Sequence, residues 1–244
     1  MTRSAHPPGT VATCWGAASD ALAVLAPPPT WAAVDARTDQ GPVAYVEVDP
    51  RSKEYADAIT AFKATLPDAR ATVSKLERVQ NPGMWQAYRV RRHALLCRED
   101  DRARDNLHRA ERDKAEIAGD GAWLFHGTDA DTLRKICAAG FNRSFAGRNM
   151  CMYGKGVYFA RDAEYSSNPR YARPDERGDQ RMLLCRVLVG AFCNGEKDAL
   201  VPAERDAGGT LFDTTVNKVA NPSIYVTNHD AQAYPEYQIT FRVT

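Results

Sequence analysis

Hydrophobic and polar positions follow three different rhythms along this chain. "AYVEVD" (44–49) alternates as a half-buried strand does, and "DPRSKEYADAITAFKATL" follows it with a helical stripe of Tyr55, Ile59, Phe62 and Leu66. Asp49 is the expected N-cap of that helix and Pro50 its first residue. "ATVSKLERVQN" predicts a second strand, and "NPGMWQAYRVRRHALLC" predicts a helix from Pro82 with Trp85, Tyr88 and Leu95 inside. The mixed-sign run from Arg98 to Glu116 is expected to continue it as a solvated helical face. From Trp123 onward the rhythm shortens. "WLFHG", "GKGVYFA", "MLLCRVLVGAFCNG", "LFDTTVN", "SIYVTNHD" and "YPEYQITFRVT" are strand candidates. "DADTLRKICAAG" is a short helix with Asp129 as N-cap and Gly140 as C-cap, and Pro235 marks an edge position or a bulge. Too few helices remain for β-α-β crossovers, so the expectation is an α+β domain with a mostly antiparallel sheet.

Residues 1–42 lack any such rhythm; "HPPG" and "APPPTW" make them a Pro/Ala/Gly-rich arm, with at most one short helix around Ser19 to Leu25. The domain is therefore expected over 43–244. A formal net charge of +1, from 32 basic and 31 acidic residues, gives no global field to attract a polyanion. "ALAVLA" is too short for a signal peptide and no run is long enough to span a bilayer, so a soluble intracellular protein, cytoplasmic or nuclear, is expected. Cys14, Cys97, Cys137, Cys151, Cys185 and Cys193 form no C-x-x-C pair and no zinc-ligand spacing, so reduced thiols and no metal are expected.

The chemistry concentrates where the apolar run "WLF" stops on His126 and Gly127. A glycine there lets a ligand approach the backbone, so its N–H and C=O can both be offered to a planar carboxamide. Further on, "YGKGVYFA" puts Tyr158 on a strand just past two glycines, and "EYSSNPRY" supplies Ser166 and Tyr171 on the helix expected next. Aromatic faces, a hydroxyl and a glycine backbone are what a nicotinamide ring needs. No G-x-G-x-x-G joins a strand to a helix, which removes the support for a Rossmann dehydrogenase.

"LFHGT", "GFNRSFAGRNMCMYGKGVYFA", "YSSNPRY" and "NPSIYVTNHDAQAYPEYQITF" occur in an order that resembles the catalytic domain of the poly(ADP-ribose) polymerase superfamily, the diphtheria-toxin-like ADP-ribosyltransferases. "LERVQNPGMWQAYRVRR" is similar to the start of that domain, so the resemblance runs from about Ala44 to Thr244. It implies the ADP-ribosyltransferase fold, in which antiparallel sheets and short helices form an NAD-binding cleft. NAD+ would be a co-substrate, with His126 bonded to a ribose hydroxyl, Gly127 and Ser166 holding the carboxamide, and Tyr158 and Tyr171 enclosing the ring. Thr128 would stand near the adenosine half, with Asn142 and Arg143 in the donor-site loop on the adenine side.

The polymerising members place a glutamate where this chain has Ile224, so the catalytic trio His126, Tyr158 and Ile224 resembles the mono-ADP-ribosyltransferase branch. A carboxylate there would hold a ribose hydroxyl and polarise the acceptor hydroxyl during chain growth, which an isoleucine cannot do. Glu236, in "YPEYQ", is expected to be a structural strand residue rather than a relocated carboxylate. The resemblance implies transfer of one ADP-ribose unit to a protein acceptor, the chain itself included. Two alternatives stand beside it: an inactive NAD+-binding or interaction module, and transfer to nucleic-acid ends, which the neutral charge disfavours.

Overall fold

A computed structural model describes residues 25–31, 43–66, 71–96, 122–142 and 151–243. They form one sheet of nine strands with helices on its two faces. In chain order the elements are β1 (Ala44–Glu47), α1 (Lys53–Ala64), β2 (Ala71–Gln80), α2 (Pro82–Leu96), β3 (Ala122–Gly127), α3 (Ala130–Ala139), β4 (Val157–Ala160) and α4 (Ala163–Ser167). Then come β5 (Gln180–Val187), β6 (Phe192–Asn194), β7 (Thr214–Val216), β8 (Ile224–Thr227), a single 3-10 turn (Asp230–Gln232) and β9 (Ala233–Val243). The strand order is β1-β2-β9-β5-β3-β4-β8-β7-β6, and every pairing is antiparallel except β6 with β7. The α+β architecture expected from the strand and helix rhythm is the one observed.

The central strands read as continuous apolar runs because both of their faces are covered. Trp123, Phe125, Met182 and Leu184 pack with Phe62 of α1, Ile239 and Phe241 on one face. Their neighbours Leu124, Leu183 and Cys185 pack on the other face with Leu133, Ile136 and Cys137 of α3. α3 is capped as expected: the Asp129 carboxylate accepts the N–H groups of Asp131 and Thr132, and Gly140 closes the helix with φ +89°.

Two local expectations change, and a third is decided. α1 starts at Ser52, not Asp49, since Asp49 and Arg51 close a tight turn first and the Ser52 hydroxyl then accepts from Tyr55 N–H. Tyr171 is not helical: α4 ends at Ser167 because Pro169 cannot continue it and pushes Asn168 to ψ 130°. Of the two readings for Pro235, the bulge is the one observed: Leu184 faces Tyr237 while Cys185 faces Pro235, leaving Glu236 as the extra residue, and the pairing of β9 with β2 begins only at Tyr237. The expected helix at Ser19 to Leu25, all but its last residue, and the run from Arg98 to Glu116 lie outside the described residues.

Trp31, within the stretch expected to be an arm, packs on a cluster of Trp85, Tyr88, Leu95, Leu188 and Tyr234. Trp85 Nε1 donates to the Ala26 carbonyl at 2.8 Å, and the Trp31 ring lies 5.8 Å from Trp85 and 6.1 Å from Tyr234.

Candidate functional site

β3 and β4 share a single paired position, Phe125 with Ala160, so beyond it the strands part. His126 bridges the opening: its Nδ1 lies 2.8 Å from the Tyr158 carbonyl oxygen. A carbonyl only accepts, so Nδ1 carries the hydrogen and Nε2 keeps its lone pair. Burial pushes the His126 pKa below its ordinary 6.5, and the bond to the carbonyl opposes that shift only in part, so the ring is neutral at neutral pH. Phe141 meets the imidazole edge-on at 5.3 Å, and Phe159 lies 5.6 Å away, which fixes the ring plane.

Gly127 has no room for a side chain. A Cβ there would sit 2.1 Å from the Ser166 carbonyl oxygen and 3.2 Å from Tyr171 Cβ. The glycine thus serves the packing of α4 against β3 as well as any ligand, a reason that the sequence alone does not reveal.

Tyr158 is held by its hydroxyl, which donates to the Gly154 carbonyl at 2.7 Å and accepts the Tyr153 N–H at 3.1 Å. Burial pushes its pKa up to about 12, so the phenol is no base at neutral pH and what it offers is a ring face. The 153–156 turn behind it is itself fixed. Thr215 Oγ1 donates to the Tyr153 carbonyl at 2.6 Å, and Gly154, at φ +104°, makes the bend.

Two residues that sequence reasoning missed hold the segment carrying Ser166 and Tyr171. Asp162 precedes α4 without a side-chain cap; Thr65, from the end of α1, replaces it, its Oγ1 accepting Ala163 N–H at 2.8 Å and its carbonyl accepting Glu164 N–H at 3.2 Å. At the other end the buried Gln180 donates from Nε2 to the carbonyls of Ser167 and Ala172, both at 2.7 Å. Neither residue carries a sequence signal: Thr65 acts on a segment 98 residues away, and Gln180 on carbonyls that only the folded turn brings to it. Ser166 is 3% exposed, at the end of this braced helix.

Ile224 opens β8 directly across from Ala160 and is 5% exposed. Its N–H donates to Asn217 Oδ1 at 3.1 Å. With Tyr153, Tyr165, Tyr171, Glu164 and Arg170 it lines an open pocket of ≈ 550 Å³. Glu236 is elsewhere: buried on β9, it accepts Trp123 Nε1 at 2.6 Å and pairs with the Arg186 guanidinium. That is the structural strand residue expected. Thr128 is buried just past β3, Asn142 is exposed after Phe141, and Arg143 lies outside the described residues.

Among the described residues, no group of His, Cys, Asp and Glu is arranged to hold a metal ion. Cys137, Cys151 and Cys185 are buried free thiols and Cys193 is a partly buried one. No helix of the described residues is long and apolar enough to cross a membrane.

The catalytic-domain model of the poly(ADP-ribose) polymerases matches residues 52–210, which include His126, Tyr158, Ser166 and Tyr171 but stop short of Ile224. The human protein mono-ADP-ribosyltransferase PARP14 is 37% identical over 199 residues, covering 81% of this chain and 10% of its own length. Mouse protein mono-ADP-ribosyltransferase PARP10 is 34% identical over 196 residues, 79% of this chain and 19% of that protein. Human protein mono-ADP-ribosyltransferase PARP11 is 29% identical over 234 residues, 88% of this chain and 63% of that protein. The chain therefore spans less than two thirds of the length of each of these relatives. With a family match across most of its length and the motifs gathered around one parted pair of strands, the chain belongs to the poly(ADP-ribose) polymerase catalytic-domain family.

Proposed function

We propose that this chain moves one ADP-ribose unit from NAD+ to an acceptor side chain of a protein, itself included, and releases nicotinamide. The relatives named as mono-ADP-ribosyltransferases support that reading. The observation that carries it is Ile224, an apolar residue where the polymerising members of the resembled family have a carboxylate, in the same pocket as Tyr171.

NAD+ supplies a nicotinamide already poised to leave as a neutral base, and the residues present fit it. The neutral His126 offers an Nε2 acceptor to a ribose hydroxyl. Gly127 and Ser166 offer backbone and hydroxyl partners to the carboxamide, and the Tyr158 and Tyr171 rings cover the pyridine faces. Thr128, Asn142 and Arg143 belong to the adenosine side of the same reading. In the transfer the bond from the ribose anomeric carbon to the nicotinamide nitrogen breaks, the electron pair leaving with nicotinamide, and an acceptor oxygen bonds to that carbon. Rigid side chains supply most of what such a step needs, because it depends on alignment more than on proton removal. A carboxylic acceptor arrives already ionised. A ribose hydroxyl of a growing chain does not, and Ile224 has no basic atom to activate it, so elongation stops at one unit.

We take 43–244 as the catalytic domain, with Leu25 to Trp31 as a clasp on its surface. The buried free thiols suit a reducing compartment, cytoplasm or nucleus.

The test is incubation with NAD+ labelled in its adenylate half. Label bound to protein together with free nicotinamide supports the proposal. NAD+ binding with no turnover supports the inactive module instead, and label on an added oligonucleotide alone supports transfer to nucleic-acid ends. A planar benzamide at 100 times its Kd should stabilise the fold by about 2.7 kcal/mol if the slot is formed as described.

A further inference from the structure

Tyr171 lies past the end of α4, in a turn closed by Tyr171 N–H and Ala172 N–H on the Asn168 carbonyl at 2.8 and 3.0 Å. Those bonds, with Gln180 on Ala172, fix its backbone but leave its ring two free torsions. A ring that is to cover a nicotinamide needs its plane set before the ligand arrives. The neighbouring Tyr165 sets it. The two rings stack with centroids 5.1 Å apart and planes 24° from parallel, and their hydroxyls share a hydrogen bond at 2.9 Å. Tyr165 sits on α4 immediately before Ser166, is 44% exposed, and lines the pocket that Tyr171 and Ile224 also line.

We infer that Tyr165 is a positioning residue for the donor site: it backs one face of Tyr171 and holds that ring in the plane at which its other face receives the nicotinamide. The inference rests on the proposed donor site and adds to it a residue that acts on the nicotinamide through Tyr171. Two attachments act together. The stack sets the plane, and the hydroxyl pair stops the rings sliding past each other. Because Tyr165 is substantially exposed and belongs to no core cluster, its removal should leave the fold intact.

The experiment measures benzamide affinity, and KM and kcat for NAD+, on the full chain with Tyr165 replaced. Tyr165→Ala is expected to weaken benzamide about tenfold and to raise KM for NAD+ by a similar factor with kcat little changed, since the lost alignment is shared by ground and transition states. Tyr165→Phe, which keeps the stack and loses the hydroxyl pair, should stay within about threefold of the unmodified protein. Tyr165→Leu, apolar but not planar, should behave like the alanine variant. Rescue by Phe and not by Leu identifies alignment and excludes mere bulk. Unchanged benzamide affinity in Tyr165→Leu or Tyr165→Ala overturns the inference, as does equal weakening in Phe and Leu. Tyr171→Ala runs beside them: if it too leaves benzamide affinity unchanged, the donor site itself is misplaced, whereas if only it weakens benzamide, the failure belongs to Tyr165 alone. Should the alanine variant not fold, the Phe and Leu pair decides.

Discussion

On the side of the cleft proposed to take the donor, the groups behind the site are tied in place, whereas the side proposed for the acceptor rests on an apolar residue. The His126 imidazole is tied to the Tyr158 carbonyl, the Tyr158 hydroxyl to Gly154 and Tyr153, and α4 is braced by Thr65 and Gln180. At Ile224, by contrast, only the backbone is fixed, by Asn217, and the side chain contributes shape without charge. The wall proposed to align NAD+ is preorganised, and the residue proposed to face an incoming hydroxyl carries no basic atom. Under the proposed function the two roles can differ independently because their residues lie on different strands, His126 and Tyr158 on β3 and β4 and Ile224 on β8.

The contrast breaks most visibly at Gly127. Gly127→Ala puts a methyl group 2.1 Å from a backbone oxygen that has no flexible end to move, so α4 must shift. We expect a loss of about 1–3 kcal/mol in stability by chemical denaturation and benzamide binding too weak to detect by thermal shift.

His126 gives the next largest effect. His126→Ala should keep the fold and weaken NAD+ by about tenfold, the worth of one hydrogen bond lost in a shielded site, as read by calorimetry. Acid should mimic it. Above the ordinary pKa of 6.5 the ring is neutral both folded and unfolded and contributes no pH dependence. Below it the unfolded chain takes up the proton first, so stability falls with falling pH, at most by about 1.4 kcal/mol per unit from this one group. NAD+ affinity should fall at lower pH still, through the depressed pKa of the folded ring, as Nε2 turns from acceptor to donor, and His126→Ala should lose that dependence.

Trp31 tests whether the clasp and the cleft are separate. Trp31→Ala removes the ring that packs on Trp85 and Tyr234 and should cost about 2 kcal/mol of stability, less than a fully buried tryptophan, with benzamide affinity unchanged.

Much of this molecule was legible in its sequence, for reasons that differ from element to element. α3 was bounded correctly at both ends because Asp129 and Gly140 act locally, on N–H and C=O groups within a turn of themselves. The stripe Trp85, Tyr88 and Leu95 was legible because burial on a helix repeats every three or four residues. Asp49 misled because a good capping residue can also close the turn in front of the helix that Ser52 caps. The clasp was missed because proline-rich composition predicts no core, yet two of its atoms groups, a tryptophan ring and one carbonyl, suffice to dock it. His126, Gly127, Tyr158 and Ser166 stood out through motif order, while Thr65, Gln180 and Tyr165 did not: each works through a contact that the fold creates.

At the position that matters most for the product, the expected change is in rate and leaves the product unchanged. Ile224→Glu places a carboxylate at a site 5% exposed, where burial raises its pKa and weakens it as a charged partner. NAD+ turnover should change by less than about a hundredfold, with no long polymer on a denaturing gel.

The central claim is that transfer stops at one unit. The direct measurement is to label the unmodified protein with NAD+ carrying a labelled adenylate, cleave the bound product at its pyrophosphates with a phosphodiesterase, and identify the released nucleotides. A single unit per site releases labelled AMP alone. Internal units of a chain, each joined through its adenosine ribose to the next, release phosphoribosyl-AMP, and its appearance in the digest would contradict the account.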